Sequence, residues 1–322
     1  MDPAPRKILI RAPNWIGDHV MARDLYLGIR AAFPYAEITL ACAAGMDELA
    51  RGWGIDRFEI WPAKHAPQWR FWWRLGKQRF DLAISLASSL RSALQLWCTR
   101  AARRVGYADR GARIFLTDSR PWRGRASGKH KAALYREILS WVAPRSAAQT
   151  RLRVRANPQG DIILAPGASI ALRQWPGFSE LIALLRKTFP HKTIKIVGGA
   201  DQGAWEARVA SLADDRIESW IGLTTLGELV ELCAEASVVV ANDSGVAHIA
   251  ASAAGVPTVV IFGPGDPGYI QPEGQVAGVT PRGIPCAPCE SARCKSPLGY
   301  QACLRSISAA RVLDQIVSLT PA

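Results

Sequence analysis

The sequence predicts an α/β protein of two successive doubly wound domains, each a parallel sheet wrapped by helices. Three observations carry that reading. Short apolar runs alternate with stretches of helical period, as strands and crossover helices do in β-α-β units. The alternation stops at a polar, basic stretch punctuated by Pro and Gly over 143–160, and then restarts. Charge divides at the same place: residues 1–150 hold 25 Lys and Arg against 12 Asp and Glu, while residues 151–322 hold 15 against 15.

In chain order, "KILIRAP" (7–13) is a short apolar run ending in a turn, the pattern of a buried parallel strand. "HVMARDLYLGIRAAF" keeps helical period until Pro34 stops it. "EITLACA" (37–43) and "FDLAISLA" (80–87) read as strands, "SLRSALQLWCTRAA" as the helix after the second, and "RRVGY" as the approach to another strand. "WRFWWRLGKQR" (69–79) reads either as a half-buried helix or as a Trp and Arg anchor on a membrane surface. After the break, "DIILAPG", "TIKIVGG", "SVVVAND" and "TVVIFGP" are strands; "FSELIALLRKTF", "LGELVELCAEA", "GVAHIAASAAG" and "AARVLDQIVSLT" are helices. The expected domains are residues 1–155 and 156–322.

Composition narrows the class. No apolar run reaches the ~18–20 residues needed to cross a bilayer, and the first twenty residues lack the order of a signal peptide. The chain is therefore expected in the cytoplasm, soluble or peripheral to a membrane. Its net charge of +13 lies wholly in the first half, as do nine of the twelve tryptophans. A basic, aromatic half beside a neutral one expects an anionic partner: nucleic acid, an acidic membrane face or a phosphorylated substrate. The plainer reading is a solvated basic surface.

Ligands of open α/β sheets bind beyond the carboxyl ends of the strands. Neither half is expected to contain G-x-G-x-x-G or G-x-x-x-x-G-K-[ST], the phosphate-holding glycine motifs. Phosphate needs another holder. "VVVANDSGVAHIAAS" offers one: Asp243 or Ser244 as N-cap, Gly245 for close backbone approach, the free N–H groups of a new helix, and His248 one turn inside. The alternative is a well-capped structural helix. "LAPGASIALRQWP" places Ser169 and Arg173 on a second strand-end loop, where Arg173 could clamp a diphosphate or simply meet solvent. "RAPNWIGDHVM" is the matching turn of the first domain. Gly17 permits a tight loop, and Asp18 at the helix start is either a base for a hydroxyl in the site or an N-cap.

"CAPCESARCKSPLGYQAC" (286–303) has the spacing C-x2-C-x4-C-x8-C through Cys286, Cys289, Cys294 and Cys303. In a cytoplasmic chain that fits a structural zinc site; two loop disulfides or unligated thiols are the other readings. Cys42, Cys98 and Cys233 sit in apolar contexts as ordinary core residues.

Taken together, "ILIRAPNWIGDHVM", "FDLAISLASSLRSAL", "RRVGY", "LAPGAS…RQWP", "NDSGVAHIAAS" and "FGPGDP", in this order, resemble the bacterial lipopolysaccharide heptosyltransferases, glycosyltransferase family 9. The likeness runs from about residue 7 to 315, and "NWIGD" with the cysteine segment looks more like the heptosyltransferase II branch. The resemblance implies a GT-B fold, two Rossmann-like domains facing a central cleft, with the acceptor on the first and the nucleotide sugar on the second. It implies ADP-L-glycero-β-D-manno-heptose as donor and the lipopolysaccharide inner core as acceptor. It implies inversion at the anomeric carbon, no cofactor in catalysis, and no nucleic acid partner. Asp18 matches the family's general base, with Asn14, Trp15 and Gly17 on the acceptor side. Asp243, Ser244, Gly245 and His248 match its donor element, and Ser169 a hydroxyl near the diphosphate. Arg173 stands where the family usually has Lys, which keeps the charge and changes the donor geometry. Asp201 and Thr224 fall where ribose and adenine contacts are expected. A protein at the inner face of the inner membrane, touching its anionic surface, would also make use of the basic first half. Two other readings stay open: a family 9 enzyme with another nucleotide sugar or acceptor, and a basic nucleic-acid-binding protein with a zinc-stabilised loop. The regular β-α repeats count against the second.

Overall fold

A computed structural model describes residues 4–62, 68–109, 111–144, 154, 157–212 and 214–320. The chain divides into two compact units, Met1–Arg151 and Leu152–Ala322.

The first unit holds β1 (Lys7–Arg11), β2 (Glu37–Cys42), β3 (Arg57–Ile60), β4 (Leu82–Ser85), β5 (Arg103–Tyr107) and β6 (Asp118–Arg120) in the order β3-β2-β1-β4-β5-β6. All pairs are parallel, and Ile8 of β1 stands opposite Ile38 on one side and Leu82 on the other. The central strands are apolar along most of their length because helices cover both faces; Ile8, Leu9 and Ile10 are fully buried. The edge strands are polar, "RFEI" and "DSR". Such edges resist pairing with other chains and leave little apolar period to read.

The stretch expected as one helix after β1 is two, Ile16–Met21 and Arg23–Ala32. The break falls at Ala22, whose N–H is shared between the carbonyls of Asp18 (3.0 Å) and His19 (3.2 Å). That tightened turn re-aims the second helix so that Leu25, Tyr26 and Ile29 face the core.

The second unit holds β7 (Ile162–Ala165), β8 (Ile194–Gly198), β9 (Ile217–Ile221), β10 (Val238–Asn242), β11 (Thr258–Ile261) and β12 (Val276–Val279), ordered β12-β11-β10-β7-β8-β9 and again all parallel. Counted within each unit, the two sheets have one and the same strand order. In each, the order reverses between the first and fourth strands: β1 beside β4, and β7 beside β10. Phe178, Leu181, Leu185, Val238, Val240, Val259, Val312 and Ile316 form the core against this second sheet. Each such side chain contributes about 1.5–3 kcal/mol by leaving water.

The helix expected at "GVAHIAASAAG" is α-helical only over Gly245–His248, then widens into a π-helical turn over Ile249–Ala254. Ser252 donates its hydroxyl to the Glu273 carbonyl there, and Gly255 ends the turn in the left-handed region (φ +77°) that glycine allows.

Candidate active site

Each switch point carries loops from the carboxyl ends of two strands, and most of the candidate residues lie on them. In the first unit the turn after β1 is organised by Arg11, the last residue of that strand and a residue the sequence reading passed over. Its buried guanidinium donates to Gln95 Oε1 (3.1 Å), the Ala12 carbonyl (2.6 Å) and Asn14 Oδ1 (2.7 Å) and lies over the Trp61 ring at 4.8 Å. Burial lowers its pKa to about 10, so it remains a cation at neutral pH. Its signal was a charge closing the otherwise apolar run "KILIR".

Asn14 and Trp15 are exposed beyond it. Gly17, expected in a tight loop, is the second residue of the helix Ile16–Met21, and the N-cap position belongs to Trp15. Asp18 caps nothing. Both of its oxygens accept from Lys131 Nζ, at 2.7 and 2.8 Å. The two side chains are 15% and 18% exposed. Lys131 opens the helix Lys131–Val142, whose first turn is capped by His130. Nothing local in the sequence announces a partner 113 positions away.

In the second unit, buried Asn242 ties the two switch-point loops together. Its amide donates to the Pro166 carbonyl (2.7 Å) and its carbonyl accepts from the Trp175 N–H (3.0 Å). Arg173 and Asp243, expected in the same site, are in contact: Nη1 lies 2.8 Å from Asp243 Oδ2. The expectation that Asp243 caps the helix gives way to this pair, and Ser244 occupies the N-cap. Ser244 makes no side-chain capping bond, and its hydroxyl is buried without a partner among the described residues, as is Arg173 Nε. Buried donors in that state are what an oxygen-rich ligand satisfies, next to the first N–H groups of a helix. His248 is buried one turn on.

Ser169 lies exposed on the Arg173 loop and Asp201 exposed on the turn after β8; Thr224 is half-buried on the turn after β9. The hydrogen bonds among the described residues join none of them to Arg173 or Asp243. They share the carboxyl edge of the sheet through its strand order, on the β7-β8-β9 side.

The cysteine segment was expected to have a structural role. Its Glu290, next to Cys289, reaches Arg173 Nη2 at 3.5 Å and accepts from the Asp266 N–H at 2.5 Å. Glu290 holds a left-handed backbone (φ +53°), which costs a non-glycine residue roughly 1 kcal/mol. Cys286, Cys289, Cys294 and Cys303 all line one cavity of about 280 Å3 beside Leu172 and Pro264. Burial pushes the Cys303 thiol above its ordinary pKa, and the other three sulfurs add to the shift. Among the described residues, no three His, Cys, Asp or Glu side chains are placed to hold one metal ion.

One motif was overlooked. Gly263-Pro264-Gly265-Asp266-Pro267-Gly268 has the G-x-G-x-x-G spacing. It follows β11, not a first strand, and opens only the four-residue helix Pro267–Ile270, so it lacks the setting of a dinucleotide fingerprint. Its Gly265 packs against the site: a Cβ there would stand 2.2 Å from Asp243 Oδ2.

Residues 68–298 match the family model described as glycosyltransferase family 9 (heptosyltransferase). Lipooligosaccharide heptosyltransferase 2 of Haemophilus influenzae is 26% identical over 301 residues, covering 82% of this chain and 85% of the relative. The solved ADP-heptose LPS heptosyltransferase II of E. coli superposes with a TM-score of 0.78 at 23% identity, covering 98% of both chains. E. coli heptosyltransferase WaaC with ADP-2-deoxy-2-fluoro heptose gives 0.72 at 20% identity, over 97% of this chain and 99% of that one. These structural likenesses match the pair of Rossmann-like domains that make up the GT-B fold.

Proposed function

The chain belongs to glycosyltransferase family 9, the heptosyltransferases, and from that premise we propose that it transfers L-glycero-D-manno-heptose from ADP-heptose to the inner core of lipopolysaccharide, with inversion. The observation that carries the donor side is the Arg173–Asp243 pair beside the unpartnered Ser244 hydroxyl. A diphosphate there meets a guanidinium, a hydroxyl, the backbone N–H groups that start at Gly245, and His248. Asp243 sits too close to that anion to hold it, so it orients Arg173 and meets sugar hydroxyls. Ser169 serves the diphosphate, Asp201 the ribose and Thr224 the adenine. The names of the E. coli relatives carry ADP-heptose and an ADP-heptose analogue, which supports the same donor here.

Asp18 is the general base, and Asn14, Trp15 and Gly17 frame the acceptor. An ionised carboxylate oxygen accepts more than one hydrogen bond. Asp18 can therefore keep Lys131 while taking the proton of an acceptor hydroxyl. That oxygen attacks the anomeric carbon from the face opposite ADP through an oxocarbenium-like transition state. The carbon–oxygen bond to ADP breaks, and the charge left on the diphosphate is stabilised by Arg173, His248 and the helix start at Ser244–Gly245. No cofactor takes part in these steps.

Four thiols line one cavity and are a soft donor set of the kind zinc takes, but no three of them stand where one ion would bind, so zinc would have to draw the segment together. Bound zinc would cross-link the segment that carries Glu290 and would stabilise the site without entering the reaction. Zinc content close to one per chain, lost in Cys286→Ser, supports this role; negligible zinc in both proteins rejects it.

The acceptor is a glycolipid, so the enzyme works in the cytoplasm at the inner face of the inner membrane. No helix among the described residues is long and apolar enough to cross a membrane.

The test is heptosyl transfer from ADP-heptose to purified core acceptor, with Asp18→Asn and Asp18→Ala alongside. A general base is worth about 10^2–10^4-fold, and both variants should lose at least the lower figure. Full activity in both removes Asp18 from the role. Thermal protection by another nucleotide sugar and none by ADP-heptose would replace the donor, a reading that Arg173 in place of the family's lysine keeps in play.

A further inference from the structure

Two helices of the first unit leave one aromatic, basic face uncovered. The helix Gln68–Gly76 buries Phe71, Trp72 and Leu75. Trp69 and Trp73, one turn apart on its other side, are 59% and 53% exposed. The helix Leu90–Cys98 buries Ala93 and Leu96 and exposes Leu90, Leu94 and Trp97, a spacing of four and three that sets all three on one stripe. Ile114, in the next turn, is 77% exposed.

These groups are continuous. The Arg100 guanidinium lies over the Trp73 ring at 5.1 Å, which joins the end of the second helix to the first. Trp97 packs edge-on against Phe115 with 6.0 Å between ring centroids, which brings in the turn carrying Ile114. Arg70, Arg91, Arg100 and Arg113 are exposed around them and have no ion-pair partner among the described residues. Residues 68–80 and 89–108 contain no Asp or Glu. Soluble proteins seldom leave a joined apolar patch of this kind without a use for it.

From this juxtaposition we infer that the face is a docking surface for an anionic lipid bilayer. Trp69, Trp73 and Trp97 enter the headgroup region, Leu90, Leu94 and Ile114 reach the acyl boundary, and the arginines meet lipid phosphates. Charge selects this occupant. A second copy of the chain would oppose the same arginines with no carboxylate on the patch to neutralise them. A nucleic acid would find base-stacking partners in the tryptophans but none in the three aliphatic side chains. The inference rests on the proposed function only for its purpose, which is to hold the enzyme beside a glycolipid acceptor.

Co-sedimentation of the full chain with phosphatidylcholine vesicles, with and without phosphatidylglycerol, tests it. Binding to the phosphatidylglycerol vesicles alone, falling as salt is raised, is expected, with a blue shift of tryptophan emission. Trp73→Ala with Trp97→Ala should weaken binding by about tenfold or more. Arg91→Gln and Arg100→Gln should each weaken it by about fivefold. All four positions are surface positions, so unfolding temperature and transfer to a soluble core fragment should not change. No vesicle binding, binding that survives the variants, or a concentration-dependent dimer that the variants abolish would overturn the inference. Vesicle binding without heptosyl transfer would defeat the proposed reaction and leave this surface standing.

Discussion

Arg173 Nη1 and Asp243 Oδ2, 2.8 Å apart, join the loop after β7 to the loop after β10 where the strand order of the second sheet reverses. Asp243 is only 4% exposed. A carboxylate that deep is tolerated because a guanidinium answers it.

Arg173→Ala strands that carboxylate. A loss of roughly 2–4 kcal/mol is expected, toward the lower end because Arg173 itself is partly solvated. Arg173→Lys restores the charge without the fork, so it should regain stability more fully than donor affinity. Thermal unfolding with and without ADP-heptose separates the two effects. Equal recovery of both would mean that the planar fork contributes nothing to donor binding.

Gly265→Ala acts on the same pair from the other side. The new Cβ would stand 2.2 Å from Asp243 Oδ2, so the carboxylate must shift and take Arg173 with it. Donor affinity should fall by about tenfold, as a shift of ~1.4 kcal/mol implies. The sheet strands themselves are untouched, so cooperative unfolding should persist. Unchanged donor affinity by titration calorimetry would show that the pair tolerates displacement.

Lys131 holds both oxygens of Asp18. Removing it as Lys131→Met frees the carboxylate to leave its position. A drop in kcat of about tenfold or more is expected, with little change in donor KM, because positioning acts on the reacting geometry. Lys131→Arg should recover part of kcat. A loss confined to KM, or no rescue by arginine, would assign Lys131 to binding or to folding instead.

His19 gives the first unit a pH-dependent stability. Its Nε2 donates to the Met46 carbonyl (3.1 Å) and its Nδ1 accepts from the Tyr26 hydroxyl (3.0 Å), so the buried ring is neutral. Burial lowers its pKa from 6.5 to about 4. Above pH 6.5 the ring is neutral in both the folded and unfolded chain, and its full contribution is present. Between 6.5 and about 4 the unfolded chain takes up a proton that the folded chain refuses, and stability falls as pH falls. The loss reaches about 3 kcal/mol near pH 4 and then levels off. Unfolding followed from pH 7.5 to 4.5 should show this decline, and His19→Gln should flatten it. A decline of equal size in the variant would place its origin elsewhere.

Much of this was legible in the chain. Central strands such as "KILIR" and "VVVAN" are apolar because both faces are covered, and that pattern survives in one dimension. The edge strands β3, β6 and β9 are polar or interrupted by polar residues and β12 is only the four-residue run "VAGV"; no strand was expected at any of these positions. Candidate residues on strand-end turns stood out where turn chemistry marks them, as at Asp18, Arg173 and Asp243. Their partners were not. Lys131 and Glu290 are ordinary surface residue types until folding sets them beside a charge far away in sequence. The helix at Leu90–Cys98 also concealed its role. The sequence does not tell its exposed Leu90, Leu94 and Trp97 from its buried positions, because period alone does not say which of two apolar faces is inside.

The tie between Asp18 and Lys131 also bears on the order of assembly. Asp18 leaves the ribosome early, and its anchor sits in the last helix among the described residues of the unit, 113 residues later. Contacts of such sequence separation form late, after their loop-closure entropy has been met by nearer ones. Until that helix docks, the carboxylate stays hydrated and unaimed. The proposed site of the first unit is thus completed by its last described helix, so a nascent or truncated chain short of residue 131 carries Asp18 without its aim.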